Sequence, residues 1–427
     1  GNLIADTICR TAELGLMITG AADGGDVTII DAVAVDPINE CPVCTQPGIK
    51  RDHVIRELVD LPVVGFPTRL RVRLPRYLCV NQACSRRIFQ AGLDCAFDGE
   101  KTTRRVTRWI LQRLAIDRMS VRAVAKALRI GWDLCCQLAL DQAHELIYHD
   151  PDHLAGVRVI GVDEHKWSHN RKAHGDGFVT VIVDMTNKPA RLLDVVKGRS
   201  SQALRSWLNQ RDHSFRDRIE VVSMDGFAGY ASAAEAAVPK ATRVMDPFHV
   251  VRLAGDKVTK CRQRIQIETT GRRGRREDPL YKNRKTMLTR DSLLTEEQKA
   301  RLDYLWAFDE DYQPLYQACL VYQRVIDAYE MKNRRQAKKA MSHLIDQLRV
   351  MKGKAHKEIA QLGRSLHKRR RDILAFFDRG VSNGPVEAIN GCLEHLRGIA
   401  LGFKNLNHYI LRCLIHSGGL TNKINAL

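Results

Sequence analysis

No stretch of ~18 or more apolar residues occurs in the 427-residue chain, and its beginning lacks a basic segment followed by an apolar one. These absences exclude a membrane-spanning helix and a secretory leader from expectation. A soluble, intracellular protein is expected. Acid is the second shortage: 49 Asp and Glu stand against 68 Lys and Arg, a net charge of +19 with a pI near 9.6. So basic a large protein most commonly serves nucleic acid, with a membrane surface as the second possibility. Apolar residues are not short: at 44% of the chain in periodic segments, they exclude a disordered polymer and supply cores for two to four domains.

Cysteine is plentiful, yet in a long intracellular chain twelve cysteines read as metal ligands and buried thiols rather than disulfides. Eight are scattered: Cys9, Cys95, Cys135, Cys136, Cys261, Cys319, Cys392 and Cys413 are expected to be small buried hydrophobes. The other four form two short loops, "CPVC" at Cys41 and Cys44 and "CVNQAC" at Cys79 and Cys84. Two such knuckles complete the tetrahedral sulfur site of one structural zinc. Between them "TRLRVRLPRY" alternates Arg69, Arg71 and Arg73 with apolar residues, which on a strand gives one apolar face and one basic face suited to phosphates.

From Thr102 to about Leu146 the pattern is helical. Within it "SVRAVAKALRIGWDLCCQLAL" has the cadence of a helix-turn-helix, with Val121–Leu128 first, Gly131 in the turn and a second helix from Trp132. The second helix of such a unit enters the major groove, so Arg122 and Trp132 are expected at DNA. An ordinary helical hairpin fits the same pattern.

The strand-like run "VRVIGVD" breaks into Asp163, and "IEVVSMDG" breaks into Asp225. Around them, three strands separated by turn residues, a helix, a strand, a helix and a further strand give the order of a ribonuclease H-like sheet. The first and fourth strands are neighbours in that order, so the two carboxylates are expected to converge, each ending its strand. Two basic stretches follow: Lys257 to Arg290 carries twelve Lys and Arg against three acids, and Met331 to Arg371 fourteen against two. Arg272, Arg273, Arg275 and Arg276 in the first of these are assigned to phosphate contact. After Asn383-Gly384-Pro385 a helix is expected to begin near Val386, with Glu387 in its first turn. Three crowded acids repel unless cations sit between them, and a pair of divalent ions on a few carboxylates is the known solution for phosphodiester chemistry.

The blocks "GVDEHKW", "SMDGFAGY", "MDPFHVVRLA" and "NGPVEAIN…RGIALGFKN" resemble, in order and spacing, the DDE transposases of bacterial insertion sequences, in particular the ISL-three family. The resemblance covers most of the chain and implies a multidomain α+β and α/β protein. Residues 1–100 would be a zinc-finger DNA-binding domain, 101–154 a helix-turn-helix domain, and 155–250 the first part of a ribonuclease H-like catalytic domain. Residues 251–380 would be a basic helical insertion and 381–427 the closing part. It implies a metal-binding triad of Asp163, Asp225 and Glu387 holding two Mg2+ or Mn2+, which cleaves transposon ends and joins their 3′ ends to target DNA. Double-stranded DNA would be the partner, in a synaptic complex of two or more copies at the bacterial nucleoid, with no membrane. Glu164 and His165 would flank the site, Asp246 would serve the site or cap a helix, and Glu394, about two turns beyond Glu387, competes for the third position. Two rivals remain: a DNA-binding regulator without transposition, and a ribonuclease H-like nuclease that cuts without joining.

Overall fold

The computed structural model describes residues 3–427, a mixed α+β protein in two compact units. One comprises the residues up to His153 together with Cys392–Leu427, and the other Leu154–Gly391. Among the described residues no helix is long and apolar enough to cross a membrane.

In the first unit five strands, β1 (Leu16–Asp23), β2 (Thr28–Ala34), β3 (Ile49–Val63), β4 (Phe66–Leu78) and β5 (Ile88–Gln90), form one sheet. Its order is β1-β2-β4-β3, with β5 on the end of β4. Alternation in β4 decides which face is core: Leu70, Val72 and Leu74 are fully buried, with Leu70 opposite Leu58 and Leu74 opposite Val54. The two long strands turn at Val64 and Gly65, both at positive φ (53° and 83°), the geometry of a two-residue hairpin loop. The sheet is tied to the helix Arg104–Ala115 by a buried pair: Arg105 donates to Asp60 through Nε at 2.8 Å, and Thr103 donates to the same carboxylate at 2.7 Å.

Two further helices, Val121–Leu128 and Trp132–Tyr148, follow. Ser120 caps the first, its hydroxyl accepting from the Ala123 N–H at 3.2 Å. The left-handed residue of the intervening turn is Arg129 (φ 51°), whereas Gly131 is extended. The turn therefore does not use the glycine for its conformational freedom.

The second unit is organised by the sheet β10-β9-β6-β7-β8. Strands β6 (Val159–Lys166), β7 (Phe178–Asp184) and β8 (Arg191–Lys197) form an antiparallel meander, and β9 (Val221–Met224) and β10 (Thr242–Met245) add in parallel on the other side of β6. Helices Ser201–Asn209 and Ala228–Ala237 bury Trp207 and Tyr230 in the core with Ile160, Val162 and Val222. From Pro247 the chain turns helical and builds a core of its own from Val250, Leu315, Val325, Met341, Ile345, Leu366 and Ile373. Its last element in this unit opens the helix Gly384–Ile399.

The eight scattered cysteines divide: Cys95, Cys135, Cys136, Cys261 and Cys413 are buried, while Cys9, Cys319 and Cys392 are only partly covered.

Candidate active site

The structure corrects the place of Asp163. It does not end its strand, because β6 runs on to Lys166, paired with β7 alone. What ends beside it is the parallel neighbour, whose last pair with β6 is Met224 to Val162. Asp163 therefore stands on the first residue past the end of β9, and Asp225 is the next residue on β9's own chain. The Asp225 carboxylate accepts from the Phe227 N–H at 2.9 Å, and the Gly226 carbonyl accepts from Arg369 at 3.0 Å. Arg369, which by composition belongs to a solvent-facing basic run, is instead an anchor for the loop that carries Asp225.

Glu387 reaches the same edge from the helix Gly384–Ile399, which begins two residues earlier than its proline and acid suggest. Its seat is set by Asn383, fully buried, which spends both ends of its side-chain amide and its backbone N–H on the sheet edge. Its side-chain N–H donates to the Val162 carbonyl at 3.2 Å, its side-chain oxygen accepts from Ser223 at 2.8 Å, and its backbone N–H donates to Asp246 at 2.7 Å. Its carbonyl then accepts the Glu387 N–H at 3.0 Å, the first bond of the helix. Close approach of the helix needs Gly161, since a Cβ there would lie 2.3 Å from Val386. Gly161 and Asp163 share one face of the strand, so the helix that leans on the glycine also covers the acid. One turn past Glu387, Asn390 donates to Asp163 at 3.0 Å.

Sequence reasoning missed His249 as a member of this group. It lies in the first turn of the helix Pro247–Thr270. Ligand atoms of Asp163, Asp225 and His249 lie within 4.8 Å of one another, and so do those of Asp246, His249 and Glu387. Histidine so soon after a Pro-capped helix start carries no local sign of a ligand; only its nearness to Asp246 hinted at it. Asp246 itself is buried with both oxygens taken, one by the Asn383 N–H and the other by the Phe248 N–H at 3.1 Å. It acts as a cap and a pin for the site.

Burial, and then the charges of Asp225, Glu164 and Glu387, push the Asp163 carboxyl up to about 7. Anions held this close need a cation or a proton, so the donor set fits a hard divalent ion taking oxygen and imidazole ligands. Glu164 points to the other face of β6, 3.3 Å from Arg199, and His165 is buried. Glu394 is exposed and paired with Arg397 at 2.6 Å. Among the described residues it is in neither group of ligands around Asp163 and Glu387.

In the first unit the four cysteine sulfurs gather: Cys41 to Cys84 is 3.8 Å and Cys44 to Cys79 3.6 Å. Zinc–sulfur bonds of ~2.3 Å at tetrahedral angles require sulfurs ~3.8 Å apart, so the cluster could hold zinc without moving. The Arg86 N–H also donates to the Cys84 sulfur at 3.4 Å.

The basic residues assigned to DNA fare unequally. Arg69 is half-buried and donates to the Leu128 carbonyl at 3.2 Å and to the Arg129 carbonyl at 2.7 Å. Arg71 faces Asp31 at 3.6 Å, and only Arg73 of the three is exposed, 3.3 Å from His53. Arg122 and Trp132 are exposed at the two helix starts, and Arg272 pairs with Asp278 at 3.2 Å. Arg273, Arg275 and Arg276 are exposed and form no side-chain ion pair among the described residues.

Carboxylates gathered on a sheet edge in a strongly basic chain are the equipment of an enzyme that works on nucleic acid. Residues 160–413, more than half of the chain, match the family described as Transposase, the DDE transposases of the ISL-three type, and the chain belongs to that family. It is similar to the transposase for insertion sequence element IS1001 of Bordetella parapertussis, with 25% identity over 89% of this chain and 90% of that one. It is also similar to the transposase for insertion sequence element IS1557 of Mycobacterium tuberculosis, 24% identical over 70% of this chain and 69% of the other. Among solved structures the Drosophila P element transposase strand transfer complex is similar at a TM-score of 0.37 and 11% identity, over 73% of this chain and 90% of that one.

Proposed function

We propose that this transposase binds the ends of its own insertion sequence, cuts them at the Asp163, Asp225 and Glu387 edge, and joins the freed 3′ ends to target DNA. The observation that carries the proposal is the convergence of these three acids and His249 on one edge from four separate segments of chain. In this reading the sheet is ribonuclease H-like, the helices beyond Pro247 are an insertion within it, and the 121–148 helix pair with the cysteine knuckles forms the DNA-recognition part. The knuckles hold one zinc. Assembly into a dimer or larger synaptic complex belongs to the same proposal.

Asp163, Asp225, Glu387 and His249 would hold two divalent ions. When bound there, such ions lower the pKa of an attacking water or 3′ hydroxyl and neutralise the leaving oxygen. The chain's own part is positional. Asn383 fixes the helix of Glu387 to the sheet, Asn390 orients Asp163, and Arg369 holds the loop of Asp225. No covalent bond between protein and DNA is required.

A strand-transfer assay with pre-cut ends tests the reading. Joined product is expected, whereas cleavage of intact ends without joining would favour a nuclease, and neither reaction would favour a regulator. A regulator has no use for acids gathered so closely that Asp163 is pushed up to about 7, which weighs against it.

Two further results are expected. End binding should fall steeply with salt, because each phosphate neutralised by exposed residues such as Arg73, Arg122 and Arg273 releases counterions. Affinity that stays flat between low and moderate salt would remove the extended DNA track. The second result concerns protons. In the metal-free protein the Asp163 carboxyl titrates at about 7, against ~3.9 for a free Asp, so the folded chain binds the extra proton. The stability this proton brings is complete below about pH 4 and is lost as pH rises through 7. A divalent ion must displace that proton. The rise in melting temperature given by Mn2+ should therefore grow from pH 5.5 to 8, and Asp163→Asn should flatten that trend; an equal rise at every pH in both proteins would refute it.

A further inference from the structure

The first unit contains a cavity that the chemistry above does not use. Its volume is about 610 Å3, within the ~300–1,000 Å3 range of small-ligand clefts. It opens between the starts of the helices Val121–Leu128 and Trp132–Tyr148 and the loop that follows the helix Gly384–Ile399. Trp132, Leu401 and Phe403 form apolar walls, Arg122 and Lys404 stand at the exposed rim, and Arg412 contributes to the lining from a buried position.

Two features mark it as a receptor rather than a packing gap. Leu401 is 95% exposed and held at φ 55°, a conformation that a branched side chain adopts at a cost in energy, so neither burial nor backbone preference explains it. Arg412 is the stronger sign. Only 6% exposed, its NH1 has no hydrogen-bond partner, and among the described residues no carboxylate pairs with it. Burial disfavours its charge, the thiols of Cys135, Cys136 and Cys413 offset this only as weak partners, and nearby His416 is itself held against Arg118. A buried guanidinium N–H without an acceptor is costly, so its cost points to an occupant that brings one.

We propose that the cavity receives an unstacked nucleobase of bound DNA. The ring lies against Trp132 and Phe403, a carbonyl or ring nitrogen of the base accepts from Arg412, and the flanking phosphates meet Arg122 and Lys404. Mostly apolar walls suit the flat face of a base and not a bare phosphate, and stacking on an aromatic ring is open to every base. The rim cations match the charge of the backbone that must carry the base in. This inference rests on the DNA-binding reading above and adds a specific contact to it.

The test compares three labelled probes on the full chain: oligo(dT), an abasic strand of the same length and charge, and a paired duplex. Wild-type protein is expected to bind oligo(dT) about tenfold tighter than the abasic strand. Trp132→Ala and Arg412→Met should each bring that ratio close to one, by weakening the hold on oligo(dT) more than the hold on the abasic strand. Trp132 is half exposed, so its substitution spares the core even if Arg412→Met disturbs folding. A wild-type ratio of one with duplex binding intact overturns the pocket alone, as it would if an acidic peptide were the true occupant. A ratio that survives Trp132→Ala overturns it as well. Binding to none of the three probes overturns the DNA reading together with the pocket.

Discussion

Changing Asp163, Asp225 or Glu387 to Ala is expected to lower end cleavage and strand transfer by at least ~10^3-fold, the worth of several kcal/mol of lost charge stabilisation. Binding to transposon ends should change by less than about twofold, because the proposed recognition surfaces lie in other parts of the chain. The three acids are expected to behave alike despite their different surroundings. Asp163 is partly buried and held by Asn390 and the Glu164 N–H, Asp225 rides on a loop, and Glu387 is exposed on a helix. Glu394→Gln serves as the control, since its carboxylate is engaged by Arg397 and should be dispensable. Full activity in Glu387→Gln with loss in Glu394→Gln would assign the third position to the other acid. Full activity in Asp163→Ala would refute the assignment of chemistry to this edge. His249→Ala should fall between the two, because an imidazole adds a ligand without adding the charge that the cation compensates.

How much of this could be read from sequence follows from which interactions are local. The meander, the parallel fourth strand and the nearness of Asp163 to Asp225 are consequences of element order, and element order is written in alternation and turn residues. The true end of β6 is not. It depends on β7 outlasting β9, a difference between two partners that β6 cannot encode in its own residues. The arginines of β4 illustrate the same limit. Alternation placed Arg69, Arg71 and Arg73 on one face, but what they meet there depends on register: Arg71 stands opposite Glu57 and beside Asp31, and Arg69 meets carbonyls of a distant helix end. Asn383 shows the reverse case. Its sequence context advertised only a turn before a helix, yet its side chain joins β6 and β9 through Val162 and Ser223, two partners far from it in the chain.

Removing zinc, or replacing any one of Cys41, Cys44, Cys79 and Cys84 by Ser, is expected to unfold the knuckle region. The reason lies in how little else holds it. The cluster around the sulfurs is small: Tyr77, Phe89 and Ala91 are the buried apolar residues that join the cysteines, and Gly48 is packed so closely on the two rings that a Cβ would lie 2.6 Å from Phe89. A core of that size offsets little chain entropy, whereas a structural zinc contributes an apparent ~10–16 kcal/mol of binding that is also folding energy. The loss should be local. Strands β3 and β4 have their own buried rows, and Leu58, Leu70 and Val72 lie in a cluster separate from the sulfurs. Elemental analysis of protein purified without chelator should give one zinc per chain. Chelation should expose the four thiols to alkylation and abolish end binding, while the catalytic unit keeps its melting transition. Absence of zinc from such protein, or retained end binding with all four thiols alkylated, would show that the four cysteines hold one another by packing and not through a metal.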